Sequence, residues 1–285
     1  MIELIEETGY LTTLRQIGAT SGGISANTYL SEVEWPDGEV LDTYVKIFDH
    51  NDRNKEIINE SFGYVLANNV RLRQSTRAAL IKISVDDFAA DQQDEFAKKN
   101  GYVLGWATVS LTGKNLRSLH FKNIPDTTPE EWHTYSQTLL KWPAFPKLIA
   151  FDDWIGNIDR NPGNLVFIRD SEFAIIDHGR IFGVIDWRVQ PIDPNSKCEN
   201  MMLNMFKYNY RGTIIAPILY SPIIRETTEQ ATTIANCKAD IISKMNDVFS
   251  HMNIKMNDEN WEIFLGYIDN RLGTASVRIP ALLAA

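Results

Sequence analysis

The chain has 285 residues, 44% of them hydrophobic and 23% charged, which excludes a disordered or collagen-like polymer and supplies enough apolar material for a sizeable core. The formal net charge of −9 argues against a dedicated nucleic-acid binder, because neutralising a phosphate backbone takes a basic face, whereas a nucleotide needs only a few local cations or a metal. Two cysteines, Cys198 and Cys237, neither of them in a CxxC, make neither a zinc framework nor a disulfide scaffold.

The N-terminus, MIELIEETGY, carries acids where a signal peptide carries Lys or Arg. No apolar run reaches the ~18 residues of a membrane span. The nearest candidate, Gly212 to Ile224, is interrupted by Pro217 and Pro222. These features predict a soluble, cytoplasmic protein with no membrane and no nucleic-acid partner.

Tyr10 to Ile17 reads as a strand entering a Gly/Ser/Thr loop, Gly18 to Ser25. Asn27–Glu34 and Val40–Phe48 flank Trp35-Pro-Asp-Gly38. Pro presets φ and Gly accepts positive φ in such a turn, so an antiparallel hairpin is predicted. Asp52 to Arg73 has helical apolar spacing at Ile57, Phe62, Val65, Leu66 and Val70. Ala78 to Val85 is apolar, and Asp86 to Asn100 is a polar loop or short helix. Tyr102 to Ser110 is strand-like, and with Gly105 and Gly113 it is the expected hinge.

Thr128-Pro-Glu-Glu131 has the form of a capping box with Pro at the first helical position, before a helix presenting Trp132, Tyr135 and Leu139. Phe145 to Ile155 is expected as a buried helix, followed by short strands at Leu165–Ile168 and Phe173–Ile176. Amphipathic helices are marked by Ile234, Ile241, Met245, Val248 and Met252, and by Trp261, Phe264, Leu265, Ile268 and Leu272. There is no internal repeat.

The chemistry is concentrated in Gly156-Asn-Ile-Asp-Arg-Asn-Pro-Gly-Asn-Leu165 and Phe173-Ala-Ile-Ile-Asp-His-Gly179. Thirteen positions separate Asn164 from Asp177, which two short strands and a tight turn fill, bringing the two side by side. Phosphoryl transfer needs such a set. Asp177 can be a charged ligand of Mg²⁺ and Asn164 a neutral oxygen ligand, while Asp159 stays off the metal to orient the attacking hydroxyl and take its proton. The spacing of Asp159 and Asn164 is that of a protein-kinase catalytic loop, and Asp177 stands where the metal-binding Asp of D-F-G belongs.

G-N-x-D-R-x-x-x-N-L followed by I-D-H-G resembles the HipA-like kinases, and more distantly the phosphatidylinositol kinases. The resemblance is specific over Gly156 to Gly179. It implies an ATP- and Mg²⁺-dependent kinase, in the HipA-like branch usually of Ser/Thr in proteins. Asp159 then matches the catalytic base, Asn164 the second metal ligand and Asp177 the principal one. Lys46 falls where the nucleotide-phosphate lysine belongs, with Glu60 as candidate partner and Glu56, one turn away, as the alternative. Gly18, Gly22 and Gly23 are assigned by position to the phosphate-covering turn.

Some relatives phosphorylate a serine near that turn, where Ser21 and Ser25 stand here. Large toxin members carry an extra N-terminal region, whereas about seventeen residues precede Gly18 here, which weighs against an antitoxin-type partner.

The expected fold is thus α+β and two-lobed: a β-rich nucleotide-binding lobe over 1–104, a mainly helical catalytic lobe over 105–285, and ATP in the cleft between them. Blander readings are open: an Asx turn for Asp159, Asn164 or Asp177, an edge-strand role for Lys46, a plain hairpin turn for the glycines, a structural salt bridge for Arg160, and packing for His178. Alternatives at the level of function are a small-molecule or phosphatidylinositol-type kinase, a nucleotide-binding pseudokinase, and a structural domain.

Overall fold

The computed structural model describes residues 1–6, 26–49, 51–87, 95–121, 128–169, 171–210 and 215–284. The strand expected from Tyr10 and the loop with Gly18, Ser21, Gly22, Gly23 and Ser25 lie outside the described residues. The chain forms two compact units. One comprises residues 1–65, 75–111 and 242–255, the other 66–74, 112–241 and 256–285.

The first unit is a five-stranded sheet in the order β1-β4-β5-β3-β2. Its strands are β1 (Ile2–Ile5), β2 (Ala26–Glu34), β3 (Val40–Phe48), β4 (Ala78–Ser84) and β5 (Tyr102–Val109). β2 and β3 form the hairpin expected from Pro-Asp-Gly, closed by Gly38 N to Trp35 O and Trp35 N to Glu39 O, each 2.8 Å. Strand alternation sorts β3 into two faces. Val45 and Ile47 join Val33, Trp35, Ala79, Ile81 and Val103 in one apolar cluster, which Ala97 of α2 (Glu95–Asn100) completes. Lys46 points to the other face, whose Trp106 meets Tyr64 of α1 (Arg53–Asn69) at a 6.0 Å ring separation.

The expected hinge is instead an interior strand. β4 pairs with β5 along residues 102–108 and β3 pairs with it along 106–109, so the backbone from Trp106 to Thr108 is bonded on both sides. Gly105 serves close packing there, since a Cβ would lie 3.1 Å from Lys46 O and 3.2 Å from Ile81 Cγ2. The sequence-based division at 104/105 falls inside this strand.

In the second unit, α1 stops at Asn69 rather than running to Arg73. Leu72 N bonds to Ala67 O at 2.9 Å and Arg71 N to Asn68 O at 3.0 Å, with Arg71 left-handed at φ 57°. This is a Schellman stop in which arginine takes the place usual for glycine, which hid it from the sequence. A three-stranded sheet follows, of β6 (Lys114–Asn115), β7 (Leu165–Arg169) and β8 (Glu172–Ile175). The helices are α3 (Leu116–His120), α4 (Pro129–Lys141), α5 (Phe145–Ile155), α6 (Met201–Tyr210), α7 (Ile215–His251), whose residues from 242 on belong to the first unit, and α8 (Asp258–Ala284).

The capping box of α4 is made in full: Glu131 N to Thr128 Oγ1 at 3.2 Å and Thr128 N to Glu131 Oε2 at 2.9 Å. α5 is buried from Leu148 to Ile155, a run apolar except for Asp152 and Asp153. These two acids are buried too; Asp152 holds Arg160, and Asp153 holds Arg271 and Arg278. α7 begins earlier than its apolar stripe suggests and takes in both Pro217 and Pro222. Pro217 falls in the first turn, where the missing N–H has no intrahelical partner to lose. Among the described residues no helix is long and apolar enough to cross a membrane.

Candidate active site

The site grows from the end of α5. Gly156 closes this helix in the left-handed conformation, φ 65°. The chain from Ile155 to Ile158 is then bonded to Arg180–Gly183: Phe182 N to Ile155 O at 2.8 Å, Gly183 N to Gly156 O at 2.8 Å and Ile158 N to Arg180 O at 3.0 Å. Asn157 turns the next residue, its Oδ1 accepting from Asp159 N at 3.0 Å. Asn161 caps the 3₁₀ turn Pro162–Asn164, its Oδ1 accepting from Gly163 N at 2.8 Å.

The β7–β8 hairpin pairs Leu165 with Ile175, and Ile176 N donates to Asn164 O at 3.0 Å. Asn164 and the residue before Asp177 are thereby neighbours, the closure that the thirteen-residue gap implied. Asn164 Nδ2 donates to the Asp159 carbonyl at 2.8 Å, which orients its Oδ1 as the acceptor atom. Asp177 is left-handed at φ 66°, and its Oδ1 accepts from Gly179 N at 3.2 Å.

Asp159 is exposed, while Asn164 and Asp177 are half-buried. The protein packed around Asp159 nevertheless pushes its carboxyl above the usual range, and the negative charge of Asp177 adds to this. The hydrogen bond from Asn161 and the charges of Arg180 and Arg160 oppose it. Asn164 is thus tied to the Asp159 backbone, and Asp177 lies near enough for its charge to act on the Asp159 carboxyl. Among the described residues no group of three or more His, Cys, Asp or Glu forms a metal cluster. The donor set fits Mg²⁺, which binds one or two carboxylates and completes its shell with water and phosphate oxygens.

Arg160, for which a structural salt bridge is an open reading, is fully buried. It bonds to Asp152 and to the carbonyls of Ile176 and Asp177. His178 is buried between Arg160 and Gln74, 3.4 and 3.3 Å away, in keeping with a packed histidine.

In the first unit Lys46 lies on an interior strand, between Thr28 of β2 and Trp106 of β5, so it is no edge lysine. Its Nζ meets Glu60 Oε1 at 2.5 Å, with Glu60 only 2% exposed. Glu56 Oε1 lies 3.2 Å from Lys55 Nζ. Sequence reading passed over Asp152 and Asn157. Two adjacent acids in an otherwise apolar helix were the available signal, because buried charges need partners.

A β-sheet N-terminal part and a helical C-terminal part, with an acid–amide loop and a following hairpin, define a protein-kinase-like fold. Among solved structures, the Helicobacter pylori proinflammatory kinase CtkA shares this fold with a TM-score of 0.51 at 15% identity, over 98% of this chain and 99% of that one. No protein-family model and no curated protein matches the sequence.

Proposed function

We propose that the protein is an ATP- and Mg²⁺-dependent kinase that transfers the γ-phosphoryl group to a hydroxyl, that of Ser or Thr in a protein, as the HipA-like motif implies. The observation that carries this reading is the closure of the loop: Asn164 Nδ2 on the Asp159 carbonyl at 2.8 Å, with Asp177 close enough for its charge to act on Asp159. The fold shared with a protein described as a kinase supports it.

Asp159, exposed at the loop tip, takes the proton of the acceptor hydroxyl as its oxygen attacks the γ-phosphorus and ADP departs. Asp177 and the Asn164 amide oxygen would hold Mg²⁺, which when bound neutralises phosphate charge. Lys46, steadied by Glu60, neutralises further phosphate charge. Catalysis is then mostly positioning and electrostatics. Ser21 and Ser25 are candidate sites of self-phosphorylation.

Radiolabelled γ-phosphate transfer to proteins, lipids and sugars, together with calorimetric binding of a non-hydrolysable ATP analogue, tests this. Wild type is expected to label protein. Asp159→Asn keeps analogue binding but loses transfer, and Asp177→Ala loses Mg²⁺-dependent binding as well. Equal turnover by wild type and Asp159→Asn removes the base assignment, label on lipid or sugar alone replaces the acceptor class, and binding without turnover indicates a pseudokinase.

A further inference from the structure

Arg160 is a fully buried guanidinium, and a buried charge is retained only where its donors are all engaged. Its Nε lies 3.2 and 3.3 Å from the two carboxylate oxygens of Asp152. Its Nη1 donates to Ile176 O at 2.6 Å and Asp177 O at 3.0 Å, and its Nη2 faces His178 Nδ1 at 3.4 Å. A guanidinium has no acceptor, so His178 Nδ1 must accept and the ring proton sits on Nε2, toward Gln74 Oε1 at 3.3 Å. One rigid fork therefore grips the two carbonyls that bracket the peptide entering and leaving Asp177, and the ring that follows. Asp177 is left-handed at φ 66°, a conformation uncommon for non-glycine residues that aspartate enters more readily than most, so the grip on both flanking carbonyls fixes which conformation it holds. The countercharge comes from α5, the most deeply buried helix of this unit.

We propose that the buried Asp152–Arg160 pair is the positioning device for Asp177, setting the protein's Mg²⁺ dependence through the backbone conformation at that residue. The proposal rests on the kinase reading above. Asp153 supplies a built-in comparison. It is buried on the same helix and holds Arg278 at 2.7 Å and Arg271 at 3.4 Å, and the other donors of Arg271 go to Asp153 O, Pro194 O and Ser196 O, none of them a group of Asp159, Asn164 or Asp177.

The test titrates Mg²⁺ against binding of a non-hydrolysable ATP analogue to the full chain, with circular dichroism and thermal melting recorded for each variant. Arg160→Lys keeps the charge beside Asp152 but loses the fork. It is expected to raise the half-saturating Mg²⁺ concentration ~10–100-fold, the range found when groups that orient a metal ligand are lost, while binding in EDTA stays as in wild type. Arg271→Lys is expected to lower the melting temperature and leave the Mg²⁺ midpoint in place. If Arg160→Lys fails to fold, Asp152→Asn, which loosens the same fork isosterically, is read by the same midpoint. A wild-type midpoint in the folded variant overturns the inference and leaves the kinase reading standing. Absence of Mg²⁺-dependent nucleotide binding in wild type overturns both.

Discussion

Replacing Gly156 with alanine tests how tightly the Gly156–Leu165 loop is seated. The residue sits at φ 65°, where an L side chain costs about 1–2 kcal/mol relative to glycine. A Cβ there would also overlap Tyr267 Oη and come within 2.7 Å of Gly183 N, closer than real Cβ contacts allow. Gly183 N is itself bonded to Gly156 O at 2.8 Å, so it moves only by breaking the pairing that carries the loop toward Asp159. Overpacking of this kind adds about 1–3 kcal/mol. The total expected is ~2–5 kcal/mol, read as a lower urea midpoint at an unchanged slope. Tyr267→Phe in the Gly156→Ala background removes the overlapping oxygen and should recover part of the loss, a coupling that a double-mutant cycle measures. A destabilisation below about 1 kcal/mol, or no coupling to Tyr267, would refute the packing argument.

Two further outcomes follow from particular contacts. Thr128→Ala removes the acceptor for Glu131 N and should cost about 1 kcal/mol in urea unfolding, without affecting nucleotide binding. Burial among its packed surroundings raises the Asp159 carboxyl, and only its ionised form accepts a proton. Transfer should therefore fall as pH drops through a value above the ordinary carboxylate range, a limb seen in a pH–rate profile at saturating Mg·ATP. A rate flat to below the ordinary range would contradict the role given to Asp159.

Much of the fold around the candidate site was legible because its logic is local. The hairpin between Asn164 and Asp177 followed from apolar strands of matching length around a short gap, and the register from Leu165 to Ile175 realises it. The capping box at Thr128 and the Pro-Asp-Gly turn lie within four residues each, so their chemistry shows in the letters alone. The hinge reading erred because an interior strand and a connecting segment have the same apolar composition. Only pairing with both β3 and β4 tells them apart. The end of α1 was misplaced because Arg71 adopts the left-handed turn without the glycine that usually announces it.

The amino-acid order alone determined which residues carry oxygen and charge, how far apart they lie along the chain, and which stretches must be helix or strand to hide their apolar faces. Partnership across distance was decided in three dimensions: Lys46 with Glu60, and Arg160 with Asp152 and the carbonyls around Asp177. The physical reason is that burial removes water as a partner. Each enclosed charge must then find its counterpart among groups that only the folded chain brings near.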